Sequence, residues 1–290
     1  MQDNTRKGII IMILTSFVFA AQDGVSRHLA EAYNTELVIM IRYWFFSLFV
    51  LWMSSRAAGG VRAVAKTAFP RLQILRAIIL VFEIYVTVLA FTYLGLIETH
   101  AVFACYPLLI AALSGPVLGE SVGWRRWLAI GVGFLGLLII LQPGKSVFTW
   151  AALLPLFSAI LFAIYGLMNR YVAQKDSAAT SFFWTGVVGV VFATLMGMMS
   201  WEPMTGTDWV WMAVLCVSGA LGHFLLIKSY ELAQASVLQP FAYFQLLFVT
   251  VIGISLFGES LHMHVVVGCG VIVAAGLFTL WRETLKSRTL

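Results

Sequence analysis

A chain of 290 residues that is 61% hydrophobic and only 11% charged cannot be a soluble globular domain, in which about a quarter of the residues carry charge. Its 22 Phe and 10 Trp exceed what one soluble core of this size would hide. The net charge of +5 is, in such a chain, a membrane-topology signal rather than a nucleic-acid footprint.

The apolar runs are long enough to cross a bilayer, which takes about 20 residues each. In chain order the predicted spans are 8–28, 35–54, 71–94, 99–118, 123–141, 149–169, 180–199, 208–230, 235–257 and 263–281. No linker between them is long enough for a soluble domain. Arg6 and Lys7 ahead of the first run, with Val18-Phe19-Ala20 inside it, loosely resemble a signal peptide; the nine runs that follow favour a retained helix. Cys105, Cys216 and Cys269 all fall inside spans, with neither a disulfide framework nor metal-ligand spacing.

With the N-terminus inside, the inner side collects fifteen of the eighteen Lys and Arg; Arg27 and Lys145 lie on the outer side, and Arg42 lies within span 2. Both termini are therefore expected in the cytoplasm.

The chain also repeats itself. Residues 108–121 (LLIAALSGPVLGES) and 247–260 (LFVTVIGISLFGES) both close an apolar run with Gly-Glu-Ser. Span 1 carries Ser16, Ala21 and Gly24 at the spacing at which span 6 carries Ser158, Ala163 and Gly166. Spans 5 and 10 are both Gly-rich. Two five-helix repeats are expected, 1–145 and 146–290. Five is odd, so the second starts from the opposite side of the membrane, a plan of secondary transporters with the substrate site between the halves. Glu120 and Glu259 are read as turn residues, with Ser121 and Ser260 capping the helices that follow.

An ionisable side chain inside a membrane is a site hypothesis by default. Three stand out: Arg42, Glu83 and His223, with Asp23 shallower in span 1. Glu83 shares a face with Arg76 and Thr87, by spacings of seven and four. Two readings of it stand, a binding or proton-carrying carboxylate and a buried Glu neutralised by Arg42. His223 lies on the stripe Cys216, Gly219, His223, Ile227, Tyr230, and serves either packing or proton coupling. Uncharged polar stripes mark span 1 (Thr15, Gln22, Ser26), span 6 (Ser158, Tyr165, Asn169) and span 9 (Gln239, Tyr243, Thr250). As a set, flanked by aromatic residues, they suit a cavity for a small zwitterion or a polar aromatic solute. Pro107 and Pro240 interrupt spans 4 and 9, as hinges for alternating access or as static kinks.

Other patterns lead nowhere. Residues 131–136 (GVGFLG) spell a dinucleotide fingerprint, but inside an apolar span with no strand before it, where close helix packing explains the glycines. Gly144-Lys145-Ser146 ends like a phosphate loop, but Ile139 stands where its first glycine belongs. His262 and His264 alone do not make a metal site. No cofactor, metal, nucleic acid or ATPase partner is expected, only a small-molecule substrate and the lipid bilayer. A membrane-embedded enzyme would need a polar catalytic cluster, whereas the ionisable groups are isolated, so no catalytic residue is expected.

The paired Gly-Glu-Ser endings, with residues 222–247 (GHFLLIKSYELAQASVLQPFAYFQLL), resemble the drug/metabolite transporter superfamily in its ten-helix, EamA-type form, over essentially the whole chain. The overall pattern looks closest to the amino-acid exporters of the YddG type. The resemblance implies a basket-like bundle in which helices 1, 3, 4, 6, 8 and 9 surround a central cavity. The expectation is an all-α inner-membrane secondary transporter exporting small organic solutes, amino acids first, aromatic ones included. The alternative is a carrier for a cofactor, a vitamin or lipophilic cations.

Overall fold

A computed structural model describes residues 4–119, 123–142 and 150–287. Glu120, Ser121 and the 144–146 stretch lie outside the described residues. Twelve α-helices follow one another: α1 (Thr5–Ala32), α2 (Thr35–Ser55), α3 (Gly60–Ala65), α4 (Pro70–Phe103), α5 (Tyr106–Leu118), α6 (Trp124–Leu141), α7 (Leu153–Val172), α8 (Ala178–Gly197), α9 (Gly206–Leu232), α10 (Ala235–Ala242), α11 (Phe244–Phe257) and α12 (Met263–Ser287). A 3₁₀ turn at Trp150–Ala152 leads into α7. Among the described residues there is no strand.

Local chemistry sets the boundaries. The Asn34 side chain accepts from the Leu37 amide to start α2, and Ser177 and Thr205 do the same for α8 and α9. Gly119 and Gly258, the glycines of the two Gly-Glu-Ser endings, close α5 and α11 in the left-handed conformation (φ 72° and 64°), a backbone state glycine adopts without penalty. Gly95 (φ 79°, ψ 179°) breaks α4 into two helical pieces. The second piece and α5 together occupy the interval of expected span 4, just as α10 and α11 occupy that of span 9.

Among the described residues, seven helical runs are long and apolar enough to cross a membrane; one of them, Pro70–Leu118, is 49 residues long and contains the Gly95 break. Two shorter apolar helices, Trp127–Leu141 and Met263–Ala275, complete the series. All fall on the intervals expected from hydropathy. Their outward faces carry exposed Leu48, Val191, Leu195, Val210 and Leu256, a surface that water would penalise and lipid tails do not.

The helix contacts fall in matched pairs. α1 lies against α9 as α4 lies against α7; α11 meets α1 as α5 meets α7; α2 pairs with α8, and α6 with α12. In the last pair, a Cβ on Gly136 would stand 2.8 Å from the Gly268 carbonyl oxygen. Of the three fingerprint-like glycines, Gly136 makes this close helix contact and Gly133 lies against Leu108 of α5, whereas Gly131 faces open space.

Glu259 departs from its expected local role. Helix α12 begins at Met263, so Ser260 lies ahead of the capping position. The Glu259 carboxylate instead accepts from the Leu96 and Ile97 amides, both at 2.8 Å, and pairs with Arg27. It caps the helix that restarts after Gly95, where unpaired N–H groups and the helix dipole favour an anion. A side chain on Gly95 would collide with that carboxylate.

Candidate functional site

A central cavity of about 40 Å³, room for about three waters, is lined by residues of six helices. Helix α1 supplies Phe19, Gln22 and Asp23; α2 supplies Arg42; α4 supplies Glu83, Ile84, Thr87, Val88, His100 and Phe103; α7 supplies Phe162, α9 His223 and α11 Gln245. Every helix expected around the cavity contributes, and span 2 adds Arg42.

The polar groups form two separate systems. In the first, an Arg42 Nη donates to Gln22 Oε1 at 3.1 Å, and Gln22 Nε2 reaches Asp23 Oδ1 at 3.4 Å. Asp23 Oδ2 meets His100 Nε2 and accepts from Gln245 Nε2, each at 3.0 Å. In the second, the Thr87 and Ser158 hydroxyls each donate to Glu83 Oε1 at 2.8 Å. Arg42 and Glu83 face the same cavity but form no direct ion pair within 4.0 Å. The His223 ring lies 5.1 Å from Phe19, and its buried Nδ1 has no hydrogen-bond partner.

Of the expected site residues, Gln22, Arg42, Glu83, Thr87 and His223 come together. Tyr165 and Asn169 share the correct helix face but lie elsewhere: their oxygens accept from Arg76, at 3.3 and 2.7 Å. The same guanidinium donates to Gln73, Thr185 and the Ser181 carbonyl. Gln239 donates to the Tyr230 hydroxyl and the Ala235 carbonyl, away from the cavity. Tyr243 stands at the junction of α10 and α11 and lines an apolar cleft with Pro240, Thr250 and residues of α12. The span 9 stripe assumed one continuous helix, and the junction resets the phase, so Gln245 reaches the centre instead. Pro107 lies in the first turn of α5, where a missing N–H costs nothing; Pro240 is inside α10, two residues before its end. Both spans are interrupted at these places, at Ala104–Cys105 and at Tyr243.

His100, Phe103, Phe162 and Gln245 were not singled out from sequence. The one available signal was His100, an ionisable residue at the start of an apolar run.

The profile of the EamA-like transporter family matches residues 6–142 and again 149–281. The chain belongs to this family. It is a multi-pass membrane transporter and not an enzyme. The S-adenosylmethionine uptake transporter of Rickettsia prowazekii (strain Madrid E) is 25% identical over 280 residues, covering 95% of this chain and 93% of the relative. The riboflavin transporter of Vibrio cholerae serotype O1 (strain ATCC 39315 / El Tor Inaba N16961) is 27% identical over 284 residues, covering 97% and 95%. A protein of known crystal structure superposes with a TM-score of 0.74 at 14% identity over 99% of this chain and 100% of that one, which speaks for the fold alone.

Proposed function

We propose that this protein is a secondary transporter that carries an organic cofactor or vitamin inward across the inner membrane. The observation that carries the reading is that full-length relatives bear the names of S-adenosylmethionine uptake and riboflavin transporters. Both solutes pair a planar heteroaromatic ring system with a polar tail. The cavity offers matching chemistry, with Phe19, Phe103 and Phe162 beside amide, carboxylate and guanidinium groups. Amino-acid export, the first expectation from sequence, has no comparable support and gives way to its alternative.

Transport proceeds by alternating access between residues 1–145 and an inverted second half, 146–290, with both termini in the cytoplasm. The twofold match of the family profile, the matched pairs of helix contacts and the asymmetry of Lys and Arg support that arrangement. A site for such solutes needs roughly 300 Å³ or more. At about 40 Å³ the cavity is contracted, so the halves must separate to admit substrate, with Pro107 and Pro240 at the interruptions that bend.

Counterflow in proteoliposomes tests the reading. Purified protein is reconstituted, vesicles are loaded with S-adenosylmethionine, riboflavin or single amino acids, and uptake of the labelled solute is followed. Trans-stimulated uptake of either cofactor is expected. Trans-stimulation by amino acids alone would reinstate the amino-acid reading.

A further inference from the structure

Two buried carboxylates and one buried guanidinium line the cavity, yet neither carboxylate touches the guanidinium. Among the described residues, no carboxylate oxygen lies within 4.0 Å of an Arg42 nitrogen, and the guanidinium makes one hydrogen bond, to Gln22 Oε1. A guanidinium has five N–H donors. None of the remaining ones is a buried, unpartnered atom, and the Arg42 side chain lines the cavity. The missing side chain of Gly219 makes room for the guanidinium, because a Cβ there would stand 2.6 Å from Arg42 Nε. His223 lines the same cavity, but its Nδ1 is enclosed in the packing and faces no ligand space. Asp23 and Glu83, by contrast, already accept from His100, Gln245, Thr87 and Ser158.

A cation buried with one neutral acceptor and free donors is costly unless an anion completes it. Carboxylate is the anion that a planar guanidinium fork fits best, with two parallel bonds. Resting on the cofactor-carrier reading above, we propose that Arg42 binds a carboxylate of the transported solute. The cargo is then a cofactor bearing an amino-acid group, of the S-adenosylmethionine kind, rather than an uncharged flavin. The solute's cationic groups sit across the cavity toward Asp23 and Glu83, and its ring lies among the Phe side chains.

The test compares S-adenosylmethionine with its decarboxylated form, which differs by the carboxylate alone, and with riboflavin. All are run in counterflow on the full-length reconstituted protein and on Arg42→Gln. In the wild type, loss of the carboxylate is expected to weaken apparent affinity by at least roughly 10-fold, the scale of one charge-assisted hydrogen bond. In Arg42→Gln the two analogues converge, because the variant loses affinity only for the carboxylate form. A wild-type difference below about 2-fold overturns the inference and leaves the carrier reading intact, and this arm needs no variant to fold. Counterflow of riboflavin without S-adenosylmethionine does the same. Absence of counterflow with all three overturns the carrier reading and this inference with it.

Discussion

Two buried arginines of this transporter, Arg42 and Arg76, are 3% and 0% exposed, so burial does not separate them. Their partners do. Arg76 sits in a closed cage of Gln73, Tyr165, Asn169, Ser181 and Thr185, every acceptor supplied by the protein. Behind the cage, Gln73 passes the charge on to Asp176 through a 2.9 Å hydrogen bond. Arg42 has Gln22 alone and a cavity in front of it. A buried charge whose hydrogen bonds are complete holds helices together; one left incomplete at a cavity wall is a place for a ligand.

Substitutions break or sharpen this contrast. The largest effect is expected from Arg76→Met, which strands the acceptors of α4, α7 and α8 together. At about 1–3 kcal/mol for each buried group left unpaired, the loss should exceed about 3 kcal/mol, read as a sharp fall in the thermal midpoint of the detergent-purified protein. Arg42→Met should move that midpoint far less while removing most counterflow of a carboxylate-bearing cofactor. If the two variants melt alike, the distinction between cage and anchor is wrong.

The carboxylates extend the comparison. Glu83→Gln should depress counterflow per folded molecule more than Glu259→Gln. The latter acts on stability, by about 1–2 kcal/mol, through the lost Arg27 pair and weaker capping of the helix after Gly95. Equal transport defects in the two would remove Glu83 from the site. The smallest effect belongs to Thr185→Ala, which takes one acceptor from Arg76: about 1 kcal/mol in melting, with counterflow near the wild-type rate.

The sequence reached the cavity where a helix runs unbroken. Gln22, Glu83, Thr87 and His223 lie on continuous helices, so spacing alone put them on inward faces. It failed in two ways elsewhere. Periodicity fixes which face a residue occupies but not how deep it lies, so Tyr165 and Asn169 were read as cavity lining when they serve Arg76. It also loses phase wherever a helix is interrupted, so Gln245 was passed over in favour of Tyr243 and Thr250.

By itself the sequence determined that the chain is an apolar helical membrane protein and where its spans fall, and it carries the paired Gly-Glu-Ser endings. Those properties follow from hydropathy, spacing and charge, which act along the chain. Tertiary structure alone decided that Glu259 caps a helix 163 residues away in sequence, that Arg76 is enclosed while Arg42 is open, and that His100 and Gln245 meet Asp23. Each depends on which helices are neighbours and how far they slide past one another, and no local pattern encodes that.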